Sequence, residues 1–176
     1  TRTQEEVGKI ELLMSRENIT KENRPVVIPA LDRAKDTGAP AVSIELSDGK
    51  IITGKTGDLL GSSSAALLNA LKYLAGIHDD LLLISPSIIE PISKMKINDL
   101  GNHNPRLHSD EILIALAISA QTNPLAEMAI KKLGKLKHCQ AHSTVILAQV
   151  DSGVFKKLKI DLATEAEIYA KKLYTK

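Results

Sequence analysis

A run of small and hydroxylated residues is the best candidate for a functional site in this sequence. It ends in a glycine and three serines, 61–64, and leads directly into the apolar, helix-forming segment 65–72. A helix N-terminus leaves its first backbone N–H groups without intrahelical partners and carries partial positive charge, so glycine and serine there let an anion approach. The sequence therefore predicts an anion site, and the alternative is that the serines only cap the helix. The expected anion-binding residues are Lys55, Thr56, Gly61, Ser62, Ser63, Ser64 and Arg106.

The same region contains a string that matches the phosphate-binding P-loop pattern G-x-x-x-x-G-K-T, from Gly49 to Thr56. Its four intervening residues are a lysine, two isoleucines and a threonine, which are typical of a hairpin strand. A P-loop needs a loop between a strand and a helix at this point. We therefore interpret the string as accidental, and the helix start at Gly61 as the better anion site.

A polar, proline-containing loop at 102–108 is the second candidate site. Arg106 could hold a carboxylate or a phosphate, and His108 could act as a general acid or base near neutral pH, oriented by Asp110 or Glu111. Binding residues are often displayed on loops that a rigid scaffold positions. The alternative is a solvated loop in which a serine, Ser109, caps the next helix. The candidates in and beside this loop are His103, Arg106, His108 and Asp110.

Two histidines flank the only cysteine of the chain, Cys139. On a strand, His138 and His142 point to one face and Cys139 to the other, so the three cannot converge on one ion without a distant fourth ligand. The sequence therefore predicts no metal and no cofactor, with Cys139 as a small buried apolar residue. His142 stays a catalytic candidate beside His108 and Asp110. A Ser/His/acid triad also remains open, although Gly-x-Ser-x-Gly is absent.

Hydrophobic periodicity predicts the elements that position these residues. Alternating apolar residues at 42–46 and 51–53 predict a β-hairpin with a type I′ turn at Asp48-Gly49. Prolines at 25 and 29 predict an irregular start or a kink in a second helix, 20–36. Further strands are expected at 81–84, 144–147 and 160–163, and further helices after Gly61, Ser85, Ser109 and Asn123.

This order of elements predicts an α/β fold, a three-layer α-β-α sandwich with a mixed sheet whose first two strands are antiparallel. Helices precede the sandwich. Residues 1–38 are expected to form a helical lead-in from the preceding part of a longer protein, and residues 39–176 the sandwich domain. A capping box at Thr3-Gln4-Glu5-Glu6 starts the first helix at once.

Composition argues against several classes of partner. The formal net charge is +2, with no long block of one sign, so charge indicates no polyanionic partner. Aromatic residues make up 2% of the chain, which leaves few side chains on which unpaired bases could stack. No apolar run approaches the roughly 20 residues of a membrane helix, and one cysteine excludes an intrachain disulfide. We expect a cytoplasmic protein with no nucleic-acid or membrane partner.

Several longer stretches carry a resemblance to one bacterial family. They are PALDRAKDTGAPA from Pro29, GKT from Gly54, LGSS from Leu60, NPRLH from Asn104 and AHSTVIL from Ala141. From about residue 18 to residue 162 the chain resembles the C-terminal part of the family known as domain of unknown function 1846, or UPF0371. The resemblance implies a larger cytosolic protein whose C-terminal subdomain has a cytidine-deaminase-like topology, and it brings no activity with it. Zinc deaminases of that topology need a His or Cys near a Glu and a Pro-Cys-x-x-Cys pair, from which a chain with one cysteine departs.

Taken together, these features favour a module that binds a small anionic or phosphate-bearing metabolite at the helix start 62–64. The alternative is a scaffold or oligomerisation module with no chemistry of its own. In that case the apolar stripe of the first helix would pack against the rest of the protein or a second copy. The stripe consists of Val7, Ile10, Leu13 and Met14. We expect a homo-oligomer, and the sequence leaves open whether the protein is an enzyme.

Overall fold

The computed structural model describes residues 2–167 of the chain. This part is a mixed α/β protein with seven α-helices and one sheet of four strands. The helices are α1 (Arg2–Arg16), α2 (Val27–Thr37), α3 (Ser62–Leu74), α4 (Pro86–Asn98), α5 (Ser109–Ser119), α6 (Pro124–Ile130) and α7 (Gln149–Lys157). The strands are β1 (Ala41–Glu45), β2 (Ile51–Lys55), β3 (Gln140–Ser143) and β4 (Asp161–Thr164), and 3-10 turns span Lys21–Asn23 and Leu133–Leu136. None of these described helices is long and apolar enough to cross a membrane.

The strands lie in the order β2-β1-β3-β4. β1 runs antiparallel to both of its neighbours, whereas β3 and β4 are parallel. The predicted hairpin is confirmed, with Val42 opposite Gly54 and Ile44 opposite Ile52. Its predicted type I′ turn is wrong, because only Gly49 of the turn residues has a positive φ, 81°, and its N–H donates to Leu46 O. This geometry is a type I turn followed by a left-handed glycine.

Helices cover both faces of the sheet. Val42 and Ile44 of β1 belong to the main apolar core together with Leu67 of α3. Ser43, between them, donates a hydrogen bond to the carbonyl of Val26 at the start of α2. Because neighbouring side chains of a strand point to opposite faces, α3 packs on one face and α2 on the other.

Two of the predicted strands are wrong. Residues 81–84 form an irregular connection, in which Leu83 is buried while Leu82 is 61% exposed. The third strand ends at Ser143, before the predicted segment 144–147. There the Ser143 hydroxyl donates to the carbonyl of Val145 at 2.7 Å. The chain therefore turns out of the sheet and runs as a loop to the start of α7, whereas the strand predicted at 160–163 is observed one residue later as β4.

The irregular start of the second helix is confirmed. A 3-10 turn at 21–23 precedes α2, and Pro29 occupies the first turn of that helix. A proline is tolerated there because the N–H that it lacks would have no intrahelical partner. Gly38 ends α2 with a left-handed φ of 64°, as expected for a helix C-cap.

Candidate anion-binding site

Three helices begin at one small cavity. Gly61 precedes α3, His108 precedes α5 and Ala148 precedes α7. All three residues line the cavity, whose volume is about 90 Å³. A helix start carries N–H groups without intrahelical partners and a partial positive charge. The cavity therefore lies where three such helix ends converge.

Hydrogen bonds hold two of these helix starts side by side. The Leu107 N–H donates to Leu59 O at 2.9 Å, and the Gly61 N–H donates to Leu107 O at 3.4 Å. Arg106 Nε donates to the carbonyl of Gly57 at 2.5 Å. Leu107 is 1% exposed, so this junction is anchored in the apolar core. The loop before α5 is thereby fixed against the loop before α3.

The first turn of α3 carries two buried serines whose hydroxyls make no hydrogen bond to the described part of the protein. Ser62 and Ser63 are 5% and 2% exposed, and both line the cavity. Ser64 differs, because its Oγ donates to Leu107 O at 2.9 Å. The residue before the helix, Gly61, supplies no side-chain cap. Two hydroxyls and the uncapped helix start therefore face the cavity as hydrogen-bond donors.

The start of α5, in contrast, is capped by carboxylates. Asp151 Oδ1 accepts hydrogen bonds from the Ser109 N–H at 2.8 Å and from the Ser109 Oγ at 2.7 Å. Glu111 Oε2 accepts the His108 N–H, and Asp110 Oδ1 accepts the Glu111 N–H, each at 2.8 Å. These negative charges compensate the positive end of α5.

His108 and Asp151 form an ion pair on the cavity wall. Their Nδ1 and Oδ2 atoms are 2.9 Å apart, and the side chains are 25% and 9% exposed. The hydrogen bond to Asp151 raises the pKa of His108, and burial opposes this shift. Burial raises the pKa of Asp151, but hydrogen bonds from His108 and Ser109 outweigh it and hold that pKa below its ordinary value. Since Nδ1 is bound to the carboxylate, Nε2 is the nitrogen left for a ligand.

The structure brings most of the predicted anion-site residues together. Those that line the cavity are Thr56, Gly61, Ser62, Ser63 and Arg106. Ser64 does not line the cavity, and its hydroxyl donates a hydrogen bond to the carbonyl of Leu107. Lys55 is exposed and lines a separate groove with Asp58. Lys55 and Thr56 are adjacent at the end of β2, so their side chains leave in opposite directions and only one reaches the cavity.

Of the three catalytic candidates, only His108 lines the cavity. Asp110 accepts the N–H of Glu111 and is absent from the wall. The predicted orienting role of Asp110 or Glu111 is wrong, because the partner of the His108 ring is Asp151. His103, the other histidine of this loop, is exposed.

His142 belongs to a different cluster. It lies opposite Ser43 in the sheet and therefore on the face that α2 covers. Its Nε2 is 3.1 Å from Glu165 Oε1, while Lys21 Nζ donates to Glu165 Oε2 at 2.6 Å. Burial lowers the pKa of His142, against the raising effect of Glu165. The Nδ1 atom is buried without a partner in the described part of the chain, and the catalytic role of His142 stays a prediction.

The residues near Cys139 do not form a metal centre in the structure. Cys139 is 5% exposed, as predicted for a small buried apolar residue, and burial raises the pKa of its thiol. His138 has a left-handed backbone, with φ 66°. Among residues 2–167, no group of three or more His, Cys, Asp or Glu side chains is arranged to hold a metal ion.

The sequence pattern does not single out Asp151, although this residue organises the site. The apolar spacing of Val154 and Phe155 marks α7 but gives no role to a carboxylate in its first turn. An acidic residue just after a helix start is a common stabilising feature, and this signal could have drawn attention to Asp151. Its pairing with a histidine 43 residues away depends on the tertiary fold.

Comparison with known proteins agrees with the resemblance noted above. The family described as "Domain of unknown function DUF1846, C-terminal" matches residues 22–174. A UPF0371 protein of Streptococcus pyogenes serotype M5 is 47% identical over 174 residues, which cover 99% of this chain and 35% of that protein. A UPF0371 protein of Corynebacterium aurimucosum is 49% identical over 167 residues, or 94% of this chain and 33% of that protein. The chain spans about a third of the length of these curated relatives. It belongs to the UPF0371 family of bacterial proteins and matches the C-terminal DUF1846 domain.

Proposed function

We propose that this chain binds a small anion, a phosphate group or the phosphate of a metabolite, in the cavity at the starts of α3, α5 and α7. The observation that carries the proposal is the pair of hydroxyls on the buried residues Ser62 and Ser63, which line the cavity and make no hydrogen bond to residues 2–167. Each of these hydroxyls has an O–H donor that no protein acceptor among residues 2–167 uses. The site therefore favours a guest that accepts hydrogen bonds, and anionic oxygens accept them most strongly.

The charges around the cavity favour an anion. α5 has two acidic residues in its first turn and α7 has Asp151, whereas α3 has none. Of these three helices, α3 is therefore the one whose first turn has no carboxylate to compensate its positive end. Asp151 is itself on the wall, but its two oxygens accept hydrogen bonds from Ser109 and His108. Arg106 adds a positive charge to the same wall.

The volume limits the size of the ligand. About 90 Å³ is several times the roughly 10–15 Å³ that one water molecule needs. One phosphate-sized group fits this space, whereas the base and sugar of a nucleotide would have to remain outside it. A phosphate ion, or the phosphate end of a metabolite, is accordingly the ligand class that we propose.

Calorimetric titration and thermal unfolding with inorganic phosphate test the proposal. Phosphate at about 100 times its dissociation constant should stabilise the fold by roughly 2.7 kcal/mol. Gly61→Val should fold and lose this effect. The backbone there is extended, and the nearest atoms to an added Cβ are Ser63 Oγ at 3.9 Å and Leu107 O at 4.0 Å. Ser85→Ala, which removes the cap of α4, is the control away from the cavity. Full retention of the phosphate effect in folded Gly61→Val would contradict the proposal.

A double variant separates anion binding from simple helix capping. Replacing Ser62 and Ser63 together by alanine should weaken phosphate binding at least tenfold. The same change should leave the stability of the ligand-free fold almost unchanged, because neither hydroxyl makes a hydrogen bond to residues 2–167. If the serines only capped α3, the double variant would instead lose about 1 kcal/mol per cap and bind phosphate no differently.

Exposed apolar side chains favour assembly as a second candidate function. Ile10 and Leu13 of α1 are 56% and 59% exposed, and Ile114 and Ile118 of α5 are 61% and 62% exposed. Residues four apart share one face of a helix, so Ile114 and Ile118 form an outward apolar stripe. We propose a homo-oligomer in which such stripes are covered.

The proposal also includes the location of the protein and the topology of its fold. A cytoplasmic location is supported by the single cysteine, which can form no intrachain disulfide. A three-layer sandwich of cytidine-deaminase-like topology is supported by the helices on both faces of a mixed sheet. The division of the chain at residue 38 stays a prediction, and α2, which lies before residue 38, packs on the sheet.

A further inference from the structure

The pairing of His108 with Asp151 adds a second property to the anion cavity, and this inference rests on the proposed function. His108 Nδ1 is 2.9 Å from Asp151 Oδ2. The other carboxylate oxygen accepts two hydrogen bonds from Ser109, at 2.8 and 2.7 Å. The carboxylate is thus fixed on both sides, and it fixes the imidazole ring in turn. The ring lines the cavity, and its Nε2 has no partner within residues 2–167.

We propose that the cavity binds the doubly charged phosphate group of a phosphate monoester, and that His108 takes up one proton as the anion binds. In the neutral ring, Nε2 presents a lone pair, which repels an anionic oxygen. After it takes a proton from the solvent, Nε2–H donates a hydrogen bond to the anion while Nδ1–H keeps its bond to Asp151. Release of the ligand returns the proton to the solvent, and no covalent bond of the ligand changes.

The charges that face His108 support this proton uptake. Asp151 and Glu111 favour the charged ring, and Lys96 opposes it. Lys96 Nζ is 2.6 Å from Glu111 Oε2, so these two charges largely compensate each other. The neighbouring Asp110 carboxylate accepts the N–H of Glu111.

The remaining negative charge is that of Asp151, and a neutral His108 leaves it without a balancing charge. The pair then has a net charge of about −1, which opposes a second anion. A protonated His108 makes the pair neutral beside Arg106 and the positive end of α3. Proton uptake therefore removes a repulsion and adds a donor at the same time.

The number of hydrogen-bond donors around the cavity favours a phosphate monoester over a carboxylate. The serine hydroxyls come from the start of α3, and His108 comes from the start of α5. A phosphate monoester has three terminal oxygens and a second pKa near 6, so it is largely doubly charged above neutral pH and can accept from both helix starts. A carboxylate has two oxygens and one charge, and should bind more weakly.

Calorimetric titration with sulfate in buffers of different ionisation enthalpy counts the protons. Sulfate stays doubly charged between about pH 6.5 and 8.5, so any proton taken up belongs to the protein. Wild type should take up close to one proton per site at the alkaline end, with affinity falling up to tenfold per pH unit. His108→Gln keeps a donor near the position of Nε2 but cannot titrate, so it should bind sulfate without proton uptake. His103→Gln, at an exposed histidine of the same loop, should behave as wild type.

The outcomes distinguish this inference from the proposed function. Sulfate binding without proton uptake at any pH, or with equal uptake by His108→Gln and wild type, would overturn the inference and leave the anion site intact. Failure of both sulfate and phosphate to bind would overturn both proposals. Competition by acetate equal to that by methyl phosphate near pH 8 would overturn the assignment to a doubly charged ligand.

Discussion

Gly54 of β2 lies so close to Ala66 of α3 that a Cβ on Gly54 would stand 2.1 Å from the Ala66 backbone nitrogen. The strand and the helix are therefore in backbone contact at this point. This contact explains the second glycine of the P-loop-like string, which is a packing position in a hairpin strand. The interpretation of the string as accidental is confirmed, because residues 51–55 form β2.

Gly54→Ala should destabilise the fold by about 3 kcal/mol or more. The added methyl group meets helix backbone, which cannot move aside as a flexible side chain can. Gly57→Ala is the matched control, because its added Cβ meets nothing within 4 Å. Denaturant unfolding measures both variants, and an unchanged midpoint for Gly54→Ala would show that α3 can shift away from the sheet.

The stability of the protein should fall as the pH rises through the pKa of His108. Its partner Asp151 raises this pKa in the folded state. The stabilising effect is therefore complete below the unfolded pKa of about 6.5 and is lost as the pH rises through the higher folded value. Urea midpoints across this range should slope downward relative to those of His108→Gln. Parallel curves for the wild type and His108→Gln would contradict the raised pKa of His108 in the folded state.

His142 should have the opposite effect on stability. Its burial lowers the folded pKa, so the unfolded chain binds a proton more readily than the folded chain does. Stability should therefore fall as the pH drops through about 6.5. His142→Gln should reduce this acid-side slope, whatever its effect on the stability at neutral pH. The comparison of slopes makes the test independent of any packing defect in the variant.

Purified protein should contain no stoichiometric zinc. Cys139 is buried, with Sγ 3.6 Å from the carbonyl of Lys135, and His142 is bound to Glu165. These side chains would have to give up their present contacts to share an ion. Elemental analysis after preparation without chelators measures the content. One tightly held zinc per chain would contradict this expectation and revive the comparison with deaminases.

The molar mass from light scattering should be that of a dimer. The Leu13→Glu variant should shift the equilibrium toward the monomer, because the substitution places a charge in the exposed apolar stripe of α1. Lys9→Glu, at an exposed position of the same helix, should leave the dimer intact. A wild-type protein that stays monomeric at high concentration would contradict the proposal that a second copy covers these apolar stripes.

Local signals in the sequence predict much of the fold. Ser85 with Pro86, and Asn123 with Pro124, correctly predict helix starts because capping depends on two or three adjacent residues. The hairpin is equally local. The run 81–84 misleads because a short apolar segment looks the same in a sheet and in a buried connection.

The candidate site is harder to predict because it depends on distant partners. The helix start at Gly61 is visible in the sequence, and so is the loop before His108. Their meeting depends on the Leu60–Leu107 bridge, and the orienting Asp151 comes from a third helix. No local pattern encodes these three contacts together.

The residues that form the site lie far apart along the chain, and this has a consequence for the stage of folding at which the site forms. Ser109 and Asp151 are 42 residues apart, and Ser64 and Leu107 are 43 residues apart. Contacts between distant residues close long loops and tend to form late. We therefore expect the cavity to form late in folding, so that a partly folded chain offers the anion no site. A bound anion should accordingly slow unfolding and leave the rate of folding almost unchanged.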